Sequence, residues 1–256
     1  MVKVCRFFCR VALGAIVLGG MAQPLCADEA TLAVAANFAP TMNRLAAEFE
    51  QDSGHKLRLA VGSSGKLYAQ IKNGAPFHVL LSADQSTPAR LVEDKLAIAE
   101  SRCTYAVGAL LLWSAKADFL NDSPAALEAG TFNKLALANP KLAPYGAAAV
   151  EVLEKMQLKD RTQKKWVMGE NIAQTYQFVS SGNAELGFVA LSQVMNEGKI
   201  SAGSFWIVPK DLYQPIRQDM VLLNGGKNNL AAKAFAEFIR SAKAQTIITS
   251  YGYTQE

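Results

Sequence analysis

Thr31-Leu-Ala-Val-Ala-Ala-Asn-Phe-Ala-Pro-Thr-Met-Asn-Arg-Leu-Ala-Ala-Glu-Phe49, followed by Leu57-Arg-Leu-Ala-Val-Gly-Ser-Ser-Gly65, decides the fold class. Thr31–Ala36 is a nearly continuous apolar run, the pattern of a strand buried on both faces. Asn37 stands where a helix cap is expected. Phe38, Met42, Leu45, Ala46 and Phe49 then fall at helical spacing, and Gly54 closes the helix. Leu57, Leu59 and Val61 alternate as a second strand, which Gly62-Ser63-Ser64-Gly65 turns into a short helix over Leu67–Asn73. Strand, crossover helix and strand in so few residues form a βαβ unit, which predicts an α/β protein with a largely parallel sheet.

The same alternation continues outward. A strand is expected at Val79–Ser82, then a helix begun near Thr87-Pro88. A long apolar stretch, Tyr105–Trp113, precedes a second block with strands near Lys134–Ala138, Leu186–Val189 and Ser204–Val208. Its helices are expected near Gly146–Met156 and Ile172–Ser181. Met220–Leu223 is a last strand before helices at Leu230–Arg240 and Ala242–Tyr251. Two long strands, near 103–113 and 213–223, bracket the second block. It is therefore expected to be a lobe inserted into the first, with a cleft between the two. The expected bounds are 28–106 and 216–256 for the first lobe and 107–215 for the second. Each lobe is a mixed, mainly parallel sheet flanked by helices, hinged by the two crossing strands. Ligands of open α/β sheets sit outside the carboxyl ends of strands, which here face the cleft.

Residues 1–27 have the pattern of a secretory signal: Lys3, Arg6 and Arg10, the apolar run Val11–Leu18, and Pro24-Leu-Cys-Ala27 before the first acid, Asp28. The run is far shorter than the roughly 20 apolar residues of a membrane-spanning helix. Gln23-Pro24-Leu25 is a poor match to the small residues expected before a lipidated cysteine. Cleavage after Ala27 leaves 26 − 3 = 23 cations against 22 acids, a net of +1. A chain so near neutrality has no electrostatic footprint for nucleic acid or an anionic membrane. Cys5, Cys9 and Cys26 go with the signal, so the remaining Cys103 can form no internal disulfide. With His55 and His78 as the two histidines, the chain is poorly supplied for a transition-metal cation site. It also lacks the Gly-x-Ser-x-Gly, His-Glu-x-x-His and P-loop signatures. A hydrolase using Ser64 would need one of those histidines as its base.

Four junctions share one type: Asn37, Gly62-Ser-Ser-Gly65, Pro144-Tyr-Gly146 and Gly169-Glu-Asn-Ile172. Each places backbone N–H donors and the positive end of a helix at a strand's carboxyl end. Three also carry a neutral side-chain donor: Asn37, Ser63 or Ser64, and Tyr145. Taken singly, each junction is ordinary turn or cap punctuation. Together they are a means of holding an anion without a counter-cation.

At these residues the sequence resembles the periplasmic molybdate-binding proteins that feed ABC importers. The match is densest in Val34–Phe38, Gly62–Pro76 and Leu81–Asp84. It continues in Ala138-Asn-Pro140, Pro144–Gly146 and Gly187-Phe-Val189, and ends in Tyr251-Gly-Tyr253. With Asn37-Phe38 and Tyr145, the chain is more similar to the branch described as binding molybdate or tungstate than to the enterobacterial type. The resemblance implies a monomeric, non-enzymatic, two-lobed solute-binding protein of the type II periplasmic-binding fold. It would close on a tetrahedral oxyanion and deliver it to a membrane permease, with no resident cofactor. By the same resemblance the anion is held by Asn37, with Ala36 N–H as a further candidate donor, by Ser64 through hydroxyl and N–H, by Tyr145, and by the N–H of Ile172. The enterobacterial type takes a tyrosine hydroxyl from the position of Ala190, which has none. Tyr145 would supply it from the neighbouring loop. His78 stands where the family usually has an acid or another polar residue, and has two readings: a pH-sensitive element of closure or an inert strand residue. The rival ligands are sulfate, thiosulfate and phosphate. An extracellular sensor that reports its bound state to a membrane kinase is a further alternative.

Overall fold

The computed structural model describes residues 27–200 and 202–255; apart from Ala27, the expected signal segment lies outside them, as do Cys5, Cys9 and Cys26. The first half-lobe alternates as expected: β1 (Glu29–Ala35), α1 (Ala39–Ser53), β2 (Lys56–Gly62), α2 (Ser64–Lys72), β3 (Val79–Leu81), α3 (Ser86–Glu93) and β4 (Cys103–Gly108). The chain then builds a second sheet and its helices from β5 (Leu110–Ser114), α4 (Ala125–Ala129), β6 (Leu135–Ala138), α5 (Pro144–Lys155) and α6 (Lys159–Thr162). To these it adds β7 (Trp166–Gly169), α7 (Ile172–Ser180), β8 (Leu186–Ala190), the short ladder β9 (Met195–Asn196) and β10 (Lys199–Ile200), and β11 (Ser204–Ile207). It returns as β12 (Ile216–Leu222) and ends in α8 (Leu230–Phe238) and α9 (Ala242–Ser250).

The first large sheet has the order β2-β1-β3-β12-β4 and the second the order β11-β5-β8-β6-β7. In the first, β12 runs against both its neighbours; in the second, β5 does. The other four strands of each sheet point one way. This is the mixed, mainly parallel two-lobed arrangement expected. Strand alternation feeds two cores per sheet. In β1, Leu32 and Val34 pack with Phe38, Phe49 and Phe235 on one face, while Ala33 meets Leu67, Leu80 and Leu91 on the other. In the second sheet, Leu110, Leu112, Leu137 and Phe188 share a face with Val152 of α5. Leu111, Trp113 and Val189 share the opposite face with Val179 of α7.

Several local expectations are corrected. Asn37 does not cap α1, because a single 3-10 turn, Ala36–Phe38, separates β1 from the helix and Phe38 holds the N-cap position without a side-chain bond. The apolar stretch 103–113 is two strands broken at Ala109, each in a different sheet, and the returning strand starts only at Ile216, after Pro215. The links between lobes are thus short breaks rather than long continuous strands. Val61 is 49% exposed because β2 is an edge strand. Trp166–Gly169 forms a strand that the sequence pattern had not singled out.

Neither histidine faces the cleft. His78 Nδ1 accepts from Thr31 N–H at 2.8 Å and His55 Nδ1 from Asp28 N–H at 3.0 Å, both at the start of β1, the end remote from Asn37. His78 is therefore a structural brace, and the closure reading of it is withdrawn. His78→Ala leaves Thr31 N–H without its acceptor and should lower unfolding free energy by about 1–2 kcal/mol. A urea melt measures this, and ligand affinity, being decided at the other end of β1, should stay unchanged.

Candidate functional site

Four chain reversals that join strand ends to helices converge on one cavity. Its wall is formed by Ala35, Ala36 and Asn37 after β1, and by Gly62, Ser63 and Ser64 after β2. The opposite side is formed by Ala143, Pro144 and Tyr145 at the start of α5, and by Asn171 and Ile172 at the start of α7. Ala83 completes it. All four expected residues, Asn37, Ser64, Tyr145 and Ile172, share this wall with the two further candidates, Ala36 and Ser63. The wall contains no Asp, Glu, Lys, Arg or His. Its volume is about 10 Å³, on a scale where one water needs roughly 10–15 Å³, so the space between the lobes is small.

The helix starts explain the polarity. First-turn N–H groups have no acceptor within their own helix. Ser63 is the N-cap of α2, Ala143 of α5 and Asn171 of α7. Pro144 has no N–H, so Tyr145 offers the first one of α5. Asn171 Oδ1 accepts from Ala173 and Gln174, leaving Ile172 N–H outside the capping set. Gln193 fixes this corner by donating Nε2–H to the Ile172 carbonyl while accepting from Ala190 N–H. Ala190 thus serves through its backbone, and Tyr145 is the tyrosine at the wall.

The hydroxyls are placed unequally. Ser64 Oγ accepts from Ala83 N–H at 3.0 Å and lies 3.0 Å from Ser82 Oγ. Ser63 Oγ is buried and has no hydrogen-bond partner among the described residues. Tyr145 Oη accepts from Gln218 Nε2 at 3.2 Å. Burial pushes the phenols of Tyr145, Tyr105 and Tyr253 above their ordinary value, so each keeps its proton. Asn37 spends its side-chain amide inside the protein, donating to Gln218 Oε1 at 2.8 Å and to Tyr253 Oη at 3.0 Å. What Asn37 can present to a guest is its backbone N–H.

Gln218, Tyr253, Ser192 and Ser82 escaped the sequence reading as site residues. Gln218 did leave a signal, a buried amide inside the apolar strand Ile216–Leu222. Tyr253 stood in the stretch Tyr251-Gly-Tyr253 that resembles the family but had no role assigned, and Ser192 had no signal: Ser192 Oγ donates to the Asn37 carbonyl at 2.9 Å, and Tyr253 Oη lies 2.9 Å from Ser192 Oγ.

Contacts cross between the two sides beside the cavity. Gly65 N–H donates to the Leu142 carbonyl at 3.0 Å, and Lys66 Nζ pairs with Glu170 at 2.5 Å, both half-exposed. On the far side of Ala83 and Pro144 lies a larger open groove of about 450 Å³, bordered by Asp84, Arg90, Lys141, Glu151 and Arg217. Asp84 is already engaged there, accepting from Thr87 N–H at the start of α3. The four strand-to-helix joints meet at the small neutral cavity, while the charged groove takes the start of α3 and one side of the starts of α2 and α5.

Residues 30–254 match the family of bacterial extracellular solute-binding proteins. A molybdate-binding protein ModA of Azotobacter vinelandii is 53% identical over 243 residues, 95% of this chain and 95% of that protein. Its namesake in Rhodobacter capsulatus is 46% identical over 237 residues, 93% of this chain and 92% of that protein. Among solved structures, the periplasmic molybdate-binding protein of Azotobacter vinelandii superposes with a TM-score of 0.86 at 37% identity, covering 89% of this chain and 99% of that one. The sulfate-binding protein SubI of Mycobacterium tuberculosis H37Rv shares the fold alone, with a TM-score of 0.72 at 13% identity over 88% of this chain and 86% of that one.

The two serines should separate in anion-free buffer. Ser64→Ala removes the acceptor of Ala83 N–H and should cost about 1 kcal/mol of stability, whereas Ser63→Ala removes an unpaired buried hydroxyl and should be neutral or stabilising. Urea unfolding of both variants measures the difference.

Proposed function

The chain belongs to the bacterial extracellular solute-binding proteins, and from that premise we propose that it captures molybdate and delivers it to the permease of an ABC importer. The observation that carries this reading is the cavity itself: small, free of formal charge, and lined by helix starts and hydroxyls. Relatives named for molybdate binding, at 53% and 46% identity over nearly the whole chain, support it. The protein works in the periplasm, with residues 1–27 removed as its export signal, and acts as a monomer. Its first lobe runs over 28–108 with 216–256 and its second over 109–215, two residues later than the sequence pattern suggests because Val107 and Gly108 belong to β4.

The anion is held by the hydroxyls of Ser63, Ser64 and Tyr145 and by N–H groups at Asn37, Ser64, Tyr145 and Ile172. About seven charge-assisted hydrogen bonds at about 1.5–3 kcal/mol each give roughly 10–20 kcal/mol gross. Desolvation and ordering offset part of it, and nanomolar affinity needs only about 12 kcal/mol. Because donors come from both lobes, the guest stabilises the closed form in preference to the open one, a hinge closure driven by differential contact. Sulfate is too small to reach every donor at once. Hydrogen phosphate carries an O–H that a wall of donors cannot accept. Tungstate, alike in size and charge to molybdate, fits equally. Ser64 is an anion donor here, not a nucleophile, as the Nδ1 atoms of both histidines are bonded at the far end of β1.

Thermal shift separates the ligands. At about 100 times the dissociation constant a ligand adds about 2.7 kcal/mol, raising the melting point of a chain this long by roughly 5–10 °C. Molybdate and tungstate should produce the shift at micromolar concentration, and sulfate and phosphate none. A shift with phosphate alone overturns the assignment. Ser64→Ala should weaken molybdate binding by about 1.5–3 kcal/mol in calorimetric titration, and unchanged affinity would remove Ser64 from the site.

A further inference from the structure

Ser82 lies just past β3 and forms no part of the cavity wall, yet its hydroxyl touches a wall residue on one side and a carboxylate on the other. Its Oγ is 3.0 Å from Ser64 Oγ and 2.9 Å from Asp84 Oδ1. The residue is fully buried and its backbone is pinned. Ser82 N–H donates to the Asp219 carbonyl at 2.9 Å, and Tyr105 Oη lies 3.0 Å from the Ser82 carbonyl. Asp84 is pinned as well: its Oδ1 accepts from Thr87 N–H at 3.0 Å, and its Oδ2 lies 3.1 Å from Thr87 Oγ1. Because Ser64 lines the cavity and Asp84 borders the open groove, the row Ser64–Ser82–Asp84 connects the two.

Counting protons fixes the direction of that row. An ionised carboxylate only accepts, and a hydroxyl has one proton to give. The contact with Asp84 therefore takes the Ser82 proton. With that proton spent, the contact between the two serines requires Ser64 to be the donor. Ser64 Oγ also accepts from Ala83 N–H, so in the empty cavity its hydroxyl is engaged on both counts. Donation into the carboxylate polarises Ser82 and strengthens the bond that Ser82 accepts. We propose that Ser82 and Asp84 are positioning residues that draw the Ser64 proton away from the cavity, so that an oxyanion has to win it from them and is held less tightly than Ser64 alone would allow. The inference rests on the oxyanion reading of the cavity. Ser63, whose hydroxyl has no partner among the described residues, meets no such competition.

The test is calorimetric titration with molybdate, in buffer free of other oxyanions, of the wild type, Ser82→Ala, Ser64→Ala and the Ser82→Ala/Ser64→Ala double variant. Wild type that binds no molybdate overturns the oxyanion reading and this inference with it. With that binding in place, Ser82→Ala frees the Ser64 proton and should tighten molybdate binding about fivefold. Once Ser64 is Ala there is no proton to free, and the same substitution should leave affinity unchanged. Affinity in Ser82→Ala equal to or weaker than wild type, or an equal gain in both backgrounds, overturns the inference while leaving the oxyanion reading intact. If Ser82→Ala does not fold, Asp84→Asn keeps an oxygen for Thr87 N–H while weakening the acceptor that Ser82 uses. It should tighten binding about threefold when Ser64 is present and not when it is Ala. Equal tightening in both backgrounds would mean a charge acting through space, and is equally contrary.

Discussion

An anion stripped of water must recover its hydration energy from the protein, and here no formal positive charge lines the wall to supply it. The rest of the structure follows from that constraint. Dipoles are weaker than charges, so several must converge, and the strand-to-helix joints of an open α/β sheet are where converging N–H groups are available. One lobe supplies the turns after β1 and β2, the other the starts of α5 and α7. Dipoles are also directional in a way that an ammonium is not. A wall of fixed donors discriminates among anions by size and protonation, whereas a lysine would attract any of them. Lys66, two residues past Ser64, is paired with Glu170 and half-exposed, and neither residue belongs to the wall.

The crossing between the sheets and the site lie side by side. The chain leaves the first sheet at Gly108 and re-enters it at Ile216, which face each other in the β4–β12 ladder. Gly108 lies against the Tyr145–Gln218 bond, and Gln218 sits two residues past the re-entry point. Tyr253, near the end of the chain, closes the other flank by bonding Asn37 and Ser192. Buried Asp219, paired with the partly exposed Arg102 and reinforced by Thr104, anchors the bulge from the side of the first lobe.

Much of this was legible in the sequence because it is local. Apolar runs and helical spacing located nearly every strand and helix of Thr31–Gly65, and the Ser-Ser turn marked a helix start that does line the cavity. What was illegible depends on distant partners. Asn37 looks like a cap from its neighbours, but its amide goes to Gln218 and Tyr253, 181 and 216 residues away. Tyr105–Trp113 is apolar throughout, so nothing in its pattern reveals that Ala109 divides two sheets. His78 departs from the family pattern, yet its acceptor nitrogen serves the start of β1. Ser63 and Ser64 are indistinguishable in sequence; only the fold leaves the first without a partner and gives the second Ala83 N–H.

The central claim is that uncharged donors alone grip the guest, and a crystal structure of the protein loaded with molybdate tests it most directly. The account predicts anomalous density for the metal inside the small cavity, with its oxygens about 2.7–3.1 Å from the hydroxyls and N–H groups of the helix starts and no lysine or arginine nitrogen bonded to it. Density in the charged groove beside Arg90 and Lys141, or a basic side chain bonded to the anion, would contradict it.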